Sequence, residues 1–246
     1  MNKLLSFTDE WFFPCPGCGK YGNGGGREYF CRECVGKIEF FAPDSARCPG
    51  CGGFLDSPMA VCTQCLDEEP RLWHNALAVM PYVGFGRELI RKYKFSNFPV
   101  LCRPLGSLAA QILTGSGLAP DILIPIPLHF SRMIKRSYNQ SALLAAQIGK
   151  HCSIPVMTGV LKRSRLRAAQ ASLSRHDRHR DLKKVFYLKN PEKLKSRHIM
   201  LVDDILTTGA TLNAAAEVIA KAEPSEISIL VIARSVGYRR ILPQVK

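Results

Sequence analysis

Residues 198–213, HIMLVDDILTTGATLN, constrain this chain more than any other stretch. Ile199, Met200, Leu201 and Val202 form a short unbroken apolar run, so a strand buried on both faces of a parallel sheet is expected over residues 198–202. Asp203 and Asp204 stand at its carboxyl end, where such sheets bind their ligands. Thr207, Thr208, Gly209, Ala210 and Thr211 follow, and the alanine-rich residues 212–222 favour helix. The loop therefore aims free backbone N–H groups and three hydroxyls at one point, to which the helix N-terminus adds partial positive charge. A phosphate fits there, and Gly209 permits a close approach or a positive φ that a side chain would obstruct. Two carboxylates one step upstream cannot bind that phosphate, but they can accept hydrogen bonds from two adjacent sugar hydroxyls. Together these residues suit a 5-phosphoribosyl group. The competing reading is a plain strand-to-helix turn in which Asp204 or Thr207 caps the helix. The pattern is no Walker loop, because GxxxxGK[ST] does not occur.

Four CxxC pairs precede residue 69: Cys15/Cys18, Cys31/Cys34, Cys48/Cys51 and Cys62/Cys65. Two residues between thiolates let one tight turn supply two corners of a tetrahedron, and two such turns close a structural zinc site. Sequential pairing, with Cys15, Cys18, Cys31 and Cys34 on one ion and the other four on a second, closes the shorter loops. A cross-braced arrangement stays open. A deaminase-type catalytic zinc is disfavoured, since no H-x-E stands upstream of the first pair. With few aliphatic residues between the pairs, metal would be the main source of order here.

The length of 246 residues accommodates one domain of ordinary size and one small one, expected as residues 1–69 and 70–246. Residues 67–75 are read as the linker. The formal charge of +14 predicts attraction to phosphate-rich partners. Residues 1–13 hold no signal-peptide core, and no apolar run approaches a membrane span, so the expected compartment is the cytoplasm, where paired cysteines mean metal rather than disulfides.

Along the rest of the chain, residues 76–83 read as a strand, Gly84 and Gly86 as a turn, and residues 87–95 as an amphipathic helix. Residues 100–113 read as a second helix, broken near its start by Pro104. Residues 121–126 read as an apolar strand whose end should lie beside the 198–202 strand. Residues 128–140, LHFSRMIKRSYNQ, lead into a helix over 141–152; they carry Arg132, Lys135 and Arg136, either anion ligands or a solvated basic turn with Asn139 as helix cap. A strand is expected over 155–161 and a closing strand over 226–234. Between them, residues 162–184 hold nine Lys/Arg against two Asp, half the formal charge of the molecule. No aromatic residue falls between Tyr138 and Phe186, so base-stacking platforms are missing there, which favours a flap over an anionic ligand above a nucleic-acid track.

The CxxC module, the PIPLH strand end, the step Ser137-Tyr138-Asn139-Gln140, the basic segment with Gln170 and VDDILTTGAT occur in one order that resembles the ComF/GntX family over essentially the whole chain. The resemblance implies a type I phosphoribosyltransferase fold, an α/β architecture with a Rossmann-like parallel sheet, joined to a small zinc-ribbon-like module. It implies a site for 5-phosphoribosyl diphosphate (PRPP) with Mg²⁺: Asp203 and Asp204 on the ribose hydroxyls, Thr207, Thr208, Gly209, Ala210 and Thr211 on the 5-phosphate, and Arg132, Lys135 and Arg136 on the diphosphate side. The family step is often G-F-N-Q; Ser137 replaces the glycine, while Asn139 and Gln140 match. Some members of the family are linked to natural transformation, which implies a cytoplasmic role in DNA uptake with single-stranded DNA as partner. A salvage-type phosphoribosyltransferase and a zinc-ribbon adaptor docking a helicase are the other functions such a chain could have.

Overall fold

The apolar run at residue 199 does become a central strand, but it runs further than its composition suggests. In the computed structural model, which describes residues 13–21, 29–41, 46–55, 60–66, 71–95, 98–128, 138–164 and 185–235, the helices are α1 (Arg32–Gly36), α2 (Thr63–Leu66), α3 (Gly84–Phe95), α4 (Cys102–Gly115), α5 (Gln140–Cys152) and α6 (Ala210–Ala220). The strands are β1 (Asn75–Pro81), β2 (Ile122–Pro125), β3 (Leu161–Arg163), β4 (Phe186–Leu188), β5 (His198–Leu206) and β6 (Glu226–Arg234). Four of them form a parallel sheet in the order β1-β6-β5-β2. The remaining two, β3 and β4, pair antiparallel apart from it.

Strand β5 continues through both aspartates because β6 pairs with it along its whole length, Asp203 opposite Val231 and Leu206 opposite Arg234. The end of β2 lies beside it as expected, with the Ile126 N–H donating to the Val202 carbonyl at 2.9 Å. Strand β6, the last among the described residues, is interior, inserted between β1 and β5. Pro104 does not break α4: it falls in the first turn, where a backbone N–H has no acceptor within the helix. Of the strand expected over 155–161, Val156 makes a single bridge to Leu123, and regular pairing begins only at Leu161.

Two apolar layers cover the sheet. On one face Leu89, Ile90 and Tyr93 of α3, Leu105, Ala109 and Leu113 of α4, and Leu144, Ala145 and Ile148 of α5 pack on Leu123, Met200, Val202 and Leu230. On the other, Leu212, Ala215, Ala216 and Ile219 of α6 pack on Ile124, Ile199, Leu201, Ile229 and Val231. The cysteines divide between the two layers. Cys15, Cys31 and Cys34 belong to the first, and Cys48, Cys51, Cys62 and Cys65 to the second, so the cysteine-bearing segments straddle the β1 edge of the sheet. That placement covers an edge whose open N–H and C=O groups would otherwise invite pairing with another chain.

Candidate phosphoribosyl and metal sites

The strand-to-helix turn is built around Gly209. It is the N-cap of α6 with φ of 81°, in the left-handed region, and offers no side chain to the helix. Neither Asp204 nor Thr207 caps the helix, contrary to the capped form expected of a plain strand-to-helix turn. Thr208 Oγ1 accepts weakly from the Ala210 N–H at 3.4 Å. The N-terminal N–H groups of an eleven-residue helix therefore face a cleft of about 50 Å³ lined by Asp203, Ile205, Leu206, Thr207, Thr208, Gly209, Ala210, Thr211 and Leu212. Thr207 and Thr208 are exposed. A volume of that order holds a few waters or one small oxyanion.

Each aspartate is gripped by a helix of the same layer. Ser141 Oγ, on α5, donates to Asp203 Oδ1 at 2.8 Å, and the Asp204 N–H donates to the same oxygen at 2.9 Å. Lys94 Nζ, on α3, lies 2.8 Å from Asp204 Oδ1 in a largely buried pair. Burial, and then the neighbouring Asp204 charge, push the Asp203 carboxyl up to about 7, against the lowering effect of Ser141 and Lys94. One carboxylate thus keeps a fixed cation, and the other sits near the point of proton exchange at neutral pH.

The step before α5 anchors that helix to β2. Asn139 Oδ1 accepts from the Ser141 N–H at 3.1 Å, capping the helix, while Asn139 Nδ2 donates to the Ile126 carbonyl at 3.1 Å. Tyr93 Oη donates to the Gln140 carbonyl at 2.7 Å, tying α3 to α5 so that Lys94 and Ser141 arrive together. Neither was singled out from the sequence; a lysine ending an amphipathic helix and a serine starting another carry no distinguishing signal. Arg132, Lys135 and Arg136, and residues 165–184 of the basic segment, lie outside the described residues.

All eight paired cysteines are described, and they group in sequence order: Cys15, Cys18, Cys31 and Cys34, then Cys48, Cys51, Cys62 and Cys65, each set with its sulfurs within 4.8 Å of one another. Cross-bracing is not what the chain adopts. Zinc–sulfur bonds of about 2.3 Å place tetrahedral sulfurs about 3.8 Å apart; Cys18 Sγ lies 3.7 Å from Cys31 Sγ, and Cys51 Sγ 3.7 Å from Cys62 Sγ. The Cys31 and Cys62 N–H groups donate to Cys15 and Cys48 Sγ at 3.3 Å each, the same contact in both sets. Either set could hold a structural zinc ion.

Residues 71–75, the described part of the segment read as a linker, are packed. Trp73 is buried with Nε1 donating to the Gly50 carbonyl at 3.1 Å, and Arg71 Nη1 donates to the Thr208 carbonyl at 2.8 Å. Arg234, at the end of β6, is fully buried and donates from Nη1 to the Leu206 carbonyl at 3.2 Å and the Thr207 carbonyl at 2.6 Å. Its signal in the sequence is faint, a single charge closing the apolar run EISILVIAR.

Among the described residues, no helix is long and apolar enough to cross a membrane. The phosphoribosyl transferase domain family matches residues 104–241. Competence protein F of Haemophilus influenzae is 31% identical over 211 residues, covering 83% of this chain and 90% of that protein. The DNA utilization protein YhgH of Escherichia coli K12 is 29% identical, over 78% of this chain and 86% of that one. Competence protein ComFC of Bacillus subtilis is 28% identical, over 85% of each. With the parallel sheet, the carboxylate pair at its carboxyl edge and the glycine-capped helix in place, these matches establish that the fold is that of the type I phosphoribosyltransferases and that the chain belongs to the ComF family.

Proposed function

We propose that this chain is a competence protein of the ComF type, whose phosphoribosyltransferase-fold domain, residues 70–246, binds PRPP and which acts on internalised single-stranded DNA in the cytoplasm. The observation that carries the ligand reading is the glycine-capped N-terminus of α6, open to the cleft beside Asp203 and Asp204. The 5-phosphate takes the N–H groups and hydroxyls of Thr207, Thr208, Gly209, Ala210 and Thr211. The ribose hydroxyls donate to Asp203 and Asp204, which Ser141 and Lys94 hold in place. Arg132, Lys135 and Arg136 supply the cationic groups for the diphosphate in this reading, and Mg²⁺ bound with the ligand would offset the charge of a departing diphosphate.

If the site turns over, displacement at the anomeric carbon builds positive charge on the ribose, which the two carboxylates stabilise through the hydroxyls they hold. Relatives named for competence and DNA utilization, and the formal charge of +14, favour DNA handling as the wider role. Residues 1–69 serve as the zinc-bearing module of that machine, with zinc on the two cysteine sets and a helicase or another competence protein as its protein partner.

The test is the affinity for a single-stranded oligonucleotide at 50 and 200 mM salt, with and without PRPP. This reading expects DNA binding that weakens steeply with salt and responds to PRPP. Absence of DNA binding, together with turnover of PRPP on one nucleobase, would replace it with a salvage transferase.

A further inference from the structure

The second cysteine set is Cys48, Cys51, Cys62 and Cys65. Its knuckle lies flush on the β1 edge: a Cβ built on Gly52, at φ of 70°, would meet the Ala78 nitrogen at 2.8 Å and the Ala76 oxygen at 3.0 Å. Arg47 Nη1 reaches both the Gly52 carbonyl at 3.3 Å and the Ala78 carbonyl at 3.4 Å. From that knuckle two routes lead to the phosphate loop. The first passes from the Gly50 carbonyl to Trp73 Nε1, from the Trp73 ring to the Arg71 guanidinium stacked over it at 5.3 Å, and from Arg71 to the Thr208 carbonyl. Arg71 also closes on Gly209 from outside the cleft, its Cζ 2.9 Å from where a Cβ would stand. The second passes through Arg234, whose Cγ lies 4.0 Å, and Cys51 Sγ 3.4 Å, from the Cβ position of Gly53.

Arg234 is 1% exposed, pairs with no carboxylate among the described residues, and leaves Nη2 without a hydrogen bond. A zinc ion with four thiolates carries two net negative charges; the Arg234 stem passes the Cys51 knuckle and carries its buried positive charge from there to the loop carbonyls, an arrangement in which the two charges offset each other.

We propose that the Cys48/Cys51/Cys62/Cys65 centre is a positioning element of the phosphate loop, acting through Arg234 and through Trp73–Arg71, so that zinc at this centre, and not at the first, sets the loop's grip on a phosphate. The affinity part rests on the ligand reading above; the coupling itself does not.

The experiment uses the full chain and reads zinc content, ribose 5-phosphate affinity, and amide exchange over residues 206–211. Arg234→Met is expected to keep both zinc ions, lose tenfold or more in affinity and speed loop exchange, with Arg234→Lys in between. Trp73→Phe, which keeps an aromatic ring under Arg71 and removes the indole N–H bond to Gly50, moves exchange in the same direction. Cys62→Ser loosens the loop, while Cys31→Ser leaves loop exchange as in the wild type. Wild-type loop exchange in Arg234→Met, equal loosening by Cys31→Ser and Cys62→Ser, or a wild-type chain without zinc at the second centre overturns the proposal. If the wild type binds no ribose 5-phosphate, the ligand reading fails while exchange still decides the coupling.

Discussion

Replacing Asp203 by Asn should remove a pH dependence that the folded site imposes on ligand binding. Burial and the adjacent Asp204 push the Asp203 carboxyl up to about 7, and a ribose hydroxyl binds best to the ionised form. With a midpoint near 7, about one carboxyl in eleven is ionised at pH 6 and about ten in eleven at pH 8. Affinity for PRPP should therefore rise up to about tenfold between those values in the wild type. The 5-phosphate of the ligand titrates in the same range, so the variant is the control: Asp203→Asn retains the ligand's own dependence and loses the remainder. The sign for stability is opposite. The folded chain holds this proton up to about pH 7, whereas the unfolded chain releases it near pH 4, so the contribution of Asp203 to stability falls as pH rises through that window. Asp203→Asn should flatten that decline. Calorimetric titrations at pH 6, 7 and 8, with urea unfolding at the same values, measure both. Parallel affinity profiles in wild type and variant would refute the assignment of the perturbed carboxyl.

Lys94→Met strands Asp204 in a largely buried setting and should cost about 3 kcal/mol in urea unfolding, with part recovered in the Lys94→Met/Asp204→Asn double variant. Gly209→Ala forces a side chain into left-handed backbone and against Arg71; a cost of about 1–2 kcal/mol and a marked loss of ribose 5-phosphate affinity are expected in unfolding and titration. Asn139→Ala removes the cap of α5 and its tie to the Ile126 carbonyl and should cost about 1 kcal/mol by the same unfolding assay. Elemental analysis of the purified chain should return two zinc ions, falling to one in Cys31→Ser.

The sheet, the helix after the Gly209 turn and the sequential grouping of the cysteines were legible because each rests on a local rule: an apolar run, a glycine before an alanine-rich stretch, a two-residue spacing. The reading stopped β5 at Val202 because aspartates disfavour strands in isolation, and it is the pairing of Asp203 and Leu206 with β6 that carries the strand onward. Pro104 misled in the opposite sense, since a proline breaks a helix only beyond the first turn. The partners of the site, Ser141, Lys94, Arg71 and Arg234, come from four separate segments. Their roles exist only once α3, α5, the end of β6 and the segment preceding β1 converge on the end of β5, and no local pattern records that convergence.

The most direct test of the central claim is calorimetry of PRPP with Mg²⁺ on the wild type and on Asp203→Asn/Asp204→Asn at pH 8. The account predicts one binding site per chain in the wild type and loss of binding in a double variant that remains folded. Unchanged binding in the double variant, or none in the wild type, would contradict it.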